Sequence, residues 1–152
     1  MARVETLVAV APETSRLDPT PALARRTHVL IVDDDTAWRD FMDLILRNAG
    51  YITARAVDGV EALDMAEQFG PFDLLVTDEM MPRMEGHVLA EEMRRREPCL
   101  KVLYLTGYGN HLLKVKGALW EDEVLLDKPS SVADFLEAVG LLLDGRTPPV
   151  PS

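Results

Sequence analysis

Short, nearly continuous apolar segments alternate along this chain with longer amphipathic stretches, and this alternation restricts the fold more than any other feature. The four clearest apolar segments are His28–Val32, Asp73–Thr77, Lys101–Leu105 and Glu123–Leu126. Segments of this length and composition are typical of parallel strands that helices cover on both faces. Tyr51–Ala56 alternates more between apolar and polar residues, which predicts a strand nearer the edge of the sheet.

The amphipathic stretches between these segments predict helices. In the first of them, Trp38 and Phe41 recur at helical spacing, and Gly50 stands where a helix would stop. A fourth helix is predicted around His111–Leu119, although Gly117 weakens it. Five such strand–helix pairs predict an α/β fold, a five-stranded parallel sheet with helices on both faces and right-handed connections. Ligands of such sheets bind at the carboxyl ends of the strands.

Prolines and charge divide the chain into one central domain and two tails. Residues 1–26 and 146–152 each contain three of the ten prolines, and the 152-residue length suits one domain. Subtracting the tails leaves 11 Lys and Arg against 23 Asp and Glu in residues 27–145, so the acidity belongs to the central part. We predict a folded domain over 27–145, with a flexible N-terminal extension and a flexible C-terminal tail.

Composition also excludes several classes of function. A net charge of −10 disfavours direct binding to nucleic acid, and the triplet Arg94-Arg95-Arg96 is flanked by acids and predicts a solvated helix end. The sequence has no apolar run long enough to span a membrane and no secretory signal. Cys99 is the single cysteine, which excludes an internal disulfide and favours a cytoplasmic location.

Four of the five predicted strands end at residues suited to phosphoryl chemistry. Carboxylates that converge from neighbouring strands suit Mg²⁺, and without a cation they repel one another. A hydroxyl and an ammonium at the same edge can hold phosphoryl oxygens, and the middle aspartate is a candidate nucleophile. Each residue alone has an ordinary explanation as a cap, a turn or a surface charge, so their coincidence carries the prediction. The residues are Asp33, Asp34, Asp78, Thr106 and Lys128.

The segments around these residues resemble the receiver domain of bacterial two-component response regulators. The resemblance covers about residues 27–145 and implies the flavodoxin-like (βα)5 receiver fold. The spacing agrees throughout, with 45 residues from Asp33 to Asp78, 28 more to Thr106 and 22 more to Lys128. The segments that carry it are Val29–Asp35, Asp73–Gly86, Leu105-Thr106-Gly107 and Asp127-Lys128-Pro129.

The resemblance implies a role for each of these positions. Asp78 would take a phosphoryl group from a sensor histidine kinase or a histidine phosphotransfer protein, and Thr106 and Lys128 would contact that group. It implies a cis peptide bond before Pro129. It implies a signalling protein rather than an enzyme, with at most Mg²⁺-dependent self-phosphorylation from small donors and autodephosphorylation. The implied Mg²⁺ ligands are Asp33, Asp34, Asp78 and the backbone carbonyl of Met80.

Three further positions have simpler expectations. Gly86 stands where the loop after Asp78 is expected to turn sharply, which glycine tolerates. Asp58 and Glu79 are predicted to be solvated acids, and no role is assigned to His28 or His111.

The sequence departs from the family pattern at several positions. Leu125 stands where receivers usually have tyrosine or phenylalanine, and Ser130 replaces the usual phenylalanine after Lys-Pro. Tyr108 and Met80 occupy the two positions that tune loss of the phosphoryl group in the family. Neither has a carboxylate or an amide that could orient a water molecule, so slow hydrolysis is expected.

Only seven residues follow Gly145, too few for a DNA-binding domain, so a stand-alone receiver without an output domain is expected. The signal would then leave through protein–protein contact. The face that contains Leu112, Trp120 and Leu125 is the predicted docking surface for a downstream protein, and a homodimer is a further option.

Two alternatives from other classes remain open at this point. A haloacid-dehalogenase-type phosphatase also uses a strand-end aspartate, and Asp33-x-Asp35 mimics its opening motif, but Ala37 stands where that motif has threonine. The other alternative is an interaction module on the receiver fold that works without phosphorylation, which Leu125 and Ser130 leave open.

Overall fold

The computed structural model describes residues 27–144, so the predicted tails at 1–26 and 146–152 lie outside the described residues. Strands and helices alternate strictly through this range, as the sequence predicts. The strands are β1 (His28–Val32), β2 (Ile52–Ala56), β3 (Leu74–Thr77), β4 (Lys101–Thr106) and β5 (Glu123–Asp127). The helices are α1 (Thr36–Asn48), α2 (Gly59–Phe69), α3 (Gly86–Arg96), α4 (Gly109–Lys116) and α5 (Val132–Asp144).

The five strands form one parallel sheet in the order β2, β1, β3, β4, β5. Strand β1 pairs with both β2 and β3, which places Val32 opposite Ala56 on one side and Thr77 on the other. The alternating segment forms β2 at an edge of the sheet, and all four residues of β3 in the middle are buried. The predicted parallel sheet is therefore confirmed.

Helices cover the sheet on both faces and create two hydrophobic cores. One core combines Leu30 and Leu75 of the sheet with Leu89 of α3. The other combines Ile31 and Val76 with residues of α1 and α5, among them Phe135. Because successive strand residues point to opposite faces, one apolar segment supplies both cores, and this explains why the segments are almost continuously apolar.

Two helix ends show how local sequence sets the element boundaries. Asp35 caps α1, and its carboxylate accepts hydrogen bonds from the backbone N–H groups of Ala37 at 2.9 Å and Trp38 at 3.4 Å. Helix α4 begins at Gly109 and ends at Lys116, so the predicted span of 111–119 is shifted. Gly117 ends it, because this residue adopts a φ of 82°, a conformation that favours glycine.

The basic triplet at the end of α3 differs from its prediction. The side chain of Arg95 is 70% exposed, as expected, but that of Arg94 is only 10% exposed and lies 2.7 Å from the buried carboxylate of Glu123. Consecutive residues point about 100° apart around a helix, so one arginine faces the protein while its neighbour faces solvent. The prediction of a solvated cluster is wrong for Arg94.

Within residues 27–144, no helix combines the length and the apolar character that crossing a membrane requires.

Candidate functional site

The fold brings the predicted site residues together at the carboxyl edge of the sheet. Asp33 directly follows β1, Asp78 directly follows β3, Thr106 is the last residue of β4, and Lys128 directly follows β5. Parallel strands all end at the same edge, so residues up to 95 positions apart become neighbours.

Three carboxylates form the acidic part of this site. Asp33 and Asp78 are buried, whereas Asp34 is exposed, and one oxygen of each lies within 4.8 Å of the others. Backbone N–H groups fix one oxygen of each buried carboxylate. Asp33 Oδ1 accepts from Asp35 at 2.9 Å, and Asp78 Oδ1 accepts from Glu79 at 2.6 Å. The second oxygen of each, Oδ2, faces the ammonium of Lys128.

Lys128 bridges the two buried carboxylates. Its Nζ atom donates to Asp33 Oδ2 at 2.8 Å and to Asp78 Oδ2 at 3.1 Å. The same ammonium lies 5.2 Å from the ring centroid of Trp38. The peptide bond between Lys128 and Pro129 is cis, as the resemblance implies. The ammonium thus holds the two strand ends together at the centre of the site.

Burial and charge shift the pKa values of two groups in this site. Burial raises the pKa of the Asp33 carboxyl, and this effect exceeds the opposing hydrogen bonds from Lys128 and from the backbone of Asp35. Burial alone would lower the pKa of the Lys128 ammonium, but the Asp33 and Asp78 carboxylates outweigh burial and raise it. Three carboxylates face one ammonium, so the donor set fits an additional cation.

Thr106 and Met80 complete the predicted set. Thr106 is fully buried, its Oγ1 accepts a hydrogen bond from the backbone of Tyr108 at 3.0 Å, and its carbonyl accepts one from the backbone of Lys128 at 3.0 Å. Met80 lies in the loop after Asp78, with its side chain partly exposed. The metal-binding role of its carbonyl stays a prediction.

Gly86 is needed for a different reason from the one expected. Its φ is not in the left-handed region, but a Cβ atom there would lie 2.1 Å from the carbonyl oxygen of Asp78. Its N–H donates to the carbonyl of Glu79 at 2.8 Å, and this hydrogen bond holds the start of α3 close to the site. The residue with positive φ in this loop is Arg83, at 71°.

Gly86→Ala is therefore expected to destabilise the protein by about 1 to 3 kcal/mol, because backbone atoms must shift to admit the methyl group. Urea unfolding measures the change. Gly107→Ala is the matched control, since a Cβ there would meet no atom within 4 Å. Equal stability of the two variants would contradict the close approach.

Two acids that were predicted to be solvated are buried. Asp58 is 3% exposed and caps α2, accepting from the backbone of Glu61 at 2.8 Å and pairing with Arg83. The hydrogen bond from Glu61 is the main cause that lowers the pKa of Asp58, and Arg83 adds to it. Aspartate three residues before glutamate is a helix-start pattern that indicates this cap. Glu79 is fully buried and pairs with His87, and no sequence pattern indicates that contact.

A parallel α/β sheet with an acidic cluster and a bridging lysine at its carboxyl edge defines a class of protein whose site is suited to phosphoryl chemistry. Within that class, the chain belongs to the response regulator receiver domain family, whose model matches residues 29–140. It is therefore a receiver domain of the two-component type.

Individual relatives agree with this assignment. The chain is 36% identical over 125 residues to the DNA-binding dual master transcriptional regulator RpaA of Synechocystis, covering 81% of the chain and 51% of RpaA. It is 30% identical to the response regulator receiver protein CpdR of Brucella abortus, covering 76% of the chain and 95% of CpdR. The chain thus spans about half of the first relative and nearly all of the second.

A solved structure supports the fold. The response regulator protein TrrA of Thermotoga maritima, determined in complex with Mg²⁺ and BeF, superimposes with a TM-score of 0.66 at 30% identity. The match covers 77% of this chain and 99% of TrrA.

Proposed function

We propose that this chain is a phosphoacceptor in a phosphorelay, with Asp78 receiving a phosphoryl group from a sensor histidine kinase or a histidine phosphotransfer protein. The observation that carries this proposal is the position of Lys128 Nζ between Asp33 Oδ2 and Asp78 Oδ2. An ammonium shared by two buried carboxylates is placed to contact a phosphoryl oxygen once Asp78 is phosphorylated.

Each residue of the site has a role in the transfer of the phosphoryl group. A carboxylate oxygen of Asp78 forms a bond to phosphorus while the bond from phosphorus to the donor histidine nitrogen breaks, and the imidazole leaves. Lys128 then pairs with a phosphoryl oxygen instead of the Asp78 carboxylate, and the Thr106 hydroxyl supplies a hydrogen bond to another. The buried Asp33 keeps Lys128 oriented throughout. Phosphoryl transfer depends mainly on such positioning and charge stabilisation.

Mg²⁺ is part of this proposal. Asp33, Asp34 and Asp78 with the carbonyl of Met80 would hold it, and their oxygens are the donors that Mg²⁺ prefers. When bound, the ion neutralises negative charge on the transferring group. The raised pKa of Asp33 supports the fit, since burial makes its charge costly without another cation. The structure of TrrA, which is 30% identical to this chain, was determined in complex with Mg²⁺ and BeF, and this also supports the proposed Mg²⁺ site.

The proposed docking surface needs a correction. Leu112 is fully buried in the core, so it cannot contact a partner directly, whereas Trp120 is 53% exposed. Leu125 is half-buried and packs against the core. We therefore keep a downstream protein, or a second copy of the chain, as the partner of this face and assign the contact to Trp120.

We further propose that the receiver domain extends over residues 27–145 and that the protein is located in the cytoplasm.

The first experiment is intact mass measurement after incubation with acetyl phosphate and Mg²⁺. The wild-type chain is expected to gain one phosphoryl group, and Asp78→Asn none. Asp134→Asn is the matched control, because this aspartate lies in α5 and is exposed, and it is expected to gain the group normally. If neither a small donor nor a histidine kinase modifies the wild type, the phosphorylation-independent module is the better interpretation. Turnover of small phosphoesters would favour the phosphatase.

The phosphorylated chain is expected to lose its phosphoryl group slowly, because Met80 and Tyr108 provide no group that activates water. Met80→Asn should hydrolyse at least about tenfold faster, since an amide can orient the attacking water. Tyr108→Phe adds no such group and should leave the rate unchanged. Decay of the phosphorylated mass after removal of the donor gives the rates, and fast loss from the wild type would contradict the expectation.

A further inference from the structure

A second group of metal-ligating side chains lies beside the phosphoryl site and has no part in the function proposed above. Glu79 immediately follows Asp78, Glu85 precedes α3, His87 lies in the first turn of α3, and His111 lies in α4. We refer to these four residues as the His–Glu cluster. One ligand atom from each of Glu79, Glu85 and His87 lies within 4.8 Å of the other two.

Glu79 is the unusual member of the cluster. Its side chain is fully buried, and among residues 27–144 it has no lysine or arginine partner within 4.0 Å. Its contacts are the backbone N–H of His87 at 2.9 Å, His87 Nδ1 at 2.6 Å and His111 Nε2 at 3.7 Å. A buried carboxylate requires a positive partner, and imidazoles are charged only when protonated. A metal cation would satisfy this requirement.

Glu85 provides the second, independent indication. It stands at the N-cap of α3, yet its carboxylate forms no hydrogen bond with the first turn of that helix. Instead, Glu85 Oε2 lies 3.1 Å from His111 Nε2, and Oε1 lies 4.0 Å from His87 Nε2. The side chain thus points to both imidazoles rather than capping its own helix.

We propose that the His–Glu cluster binds one divalent transition-metal ion of the Zn²⁺ class. Glu79, Glu85 and His87 supply three ligands. His111 lies outside that group of three, but its Nε2 is 3.7 Å from Glu79 and 3.1 Å from Glu85, and its part-exposed ring moves inward to supply the fourth. Ligands at about 2.0 to 2.2 Å from a tetrahedral ion lie about 3.3 Å apart. The distances of 2.6 Å from His87 Nδ1 to Glu79, and of 3.1 Å and 3.7 Å from His111 Nε2 to Glu85 and Glu79, lie on either side of that value. The ion takes the place of the hydrogen bond between His87 Nδ1 and Glu79 Oε2, and the neutral imidazole then carries its hydrogen on Nε2.

Donor chemistry separates this site from the Mg²⁺ site. Imidazole nitrogens favour Zn²⁺, Co²⁺ and related ions, whereas the Asp33, Asp34 and Asp78 set contains only oxygens. An ion in the cluster would join the loop after β3 to helices α3 and α4. It would also bind Glu79, whose backbone N–H donates to Asp78 Oδ1 at 2.6 Å. The proposal does not require Asp78 to be phosphorylated.

Co²⁺ titration of the full-length, untagged chain tests the proposal. Excess Mg²⁺ occupies the oxygen-only site, and a Cys99→Ser background removes the exposed thiol. The chain is expected to bind one Co²⁺ with the intense visible absorption of a four-coordinate nitrogen–oxygen site, and one equivalent of Zn²⁺ should abolish that absorption. His111→Gln and Glu85→Gln each should weaken binding at least about tenfold.

His28→Gln is the matched control, because His28 lies at the opposite, amino end of β1 and is the remaining histidine of the chain. It should bind Co²⁺ as the wild type does. The side chains of Glu85 and His111 are 38% and 37% exposed, so their variants are expected to fold, and circular dichroism checks this. Absence of the absorption in the wild type, or its persistence in both variants, overturns the proposal.

Discussion

Lys128→Met is expected to destabilise the protein by about 3 to 5 kcal/mol in Mg²⁺-free buffer at neutral pH. The substitution removes the ammonium that Asp33 and Asp78 share and leaves their carboxylates, 0% and 9% exposed, without that partner. Removing one partner of a buried ion pair costs this much because an uncompensated charge stays in the interior. Urea unfolding followed by circular dichroism measures the loss.

Mg²⁺ is expected to restore a large part of that loss. A divalent cation among the carboxylates supplies the positive charge that methionine lacks, so the variant should gain more stability from Mg²⁺ than the wild type does. A ligand that binds only the folded state stabilises it according to its concentration over the dissociation constant. The same variant should fail to accumulate the phosphorylated form, because the contact to the phosphoryl oxygen is gone.

Lys101→Met is the matched control for the loss of an ammonium. Lys101 Nζ pairs with Asp122 at 2.9 Å, but the two side chains are 34% and 41% exposed. Exposed pairs contribute about 0 to 1 kcal/mol, so this variant should unfold near the wild-type midpoint. A Lys128 variant as stable as the Lys101 variant without Mg²⁺ would show that Lys128 does not compensate the buried carboxylates.

Much of the fold could be predicted because one physical constraint governs it. Buried parallel strands must be apolar on both faces, so each strand of the sheet leaves a visible segment in the sequence. The site follows from the same constraint, since Asp33, Asp78, Thr106 and Lys128 stand where those segments end. The observed strand boundaries differ from the predicted ones by only a few residues. Asp73, for example, belongs to the predicted segment but precedes the observed β3, and its side chain accepts a hydrogen bond from the backbone of His28 at 2.8 Å.

Charged residues on helices and loops could not be placed in this way. Arg94 and Glu79 owe their burial to which side of a helix or loop faces a neighbouring element. That orientation depends on packing between distant segments, and a charge has no periodic pattern that reports its partner. Arg94 meets Glu123 across 29 residues and Glu79 meets His111 across 32, so neither contact is visible locally.

The second large expected effect on stability concerns the buried ion pair between Arg94 and Glu123. Glu123 is fully buried, and its carboxylate accepts from Arg94 Nη1 at 2.7 Å and from the backbone of Trp120 at 2.9 Å, with Lys116 Nζ 3.1 Å away. Arg94 also lies over the Trp120 ring, 4.8 Å from its centroid. Arg94→Met is expected to cost about 3 kcal/mol at pH 7, the lower end for a broken buried pair, because Lys116 remains. Arg95→Met, at the exposed neighbouring position, should change stability by less than about 0.5 kcal/mol.

The pH dependence of this effect identifies Glu123 as its cause. Burial alone would raise the pKa of Glu123, but the hydrogen bonds from Trp120, Arg94 and Lys116 outweigh burial and hold it below the ordinary value of 4.5. A carboxyl with a lowered pKa contributes stability above its unfolded pKa and loses that contribution as the pH falls through its folded pKa. The difference between the wild type and Arg94→Met should therefore be complete at pH 7 and become smaller below about pH 4.5. Urea unfolding midpoints of both proteins at pH 7 and below about pH 4.5 measure this difference in stability. A difference that stays constant would mean that Arg94 acts through its packing on Trp120 and not through the charge of Glu123.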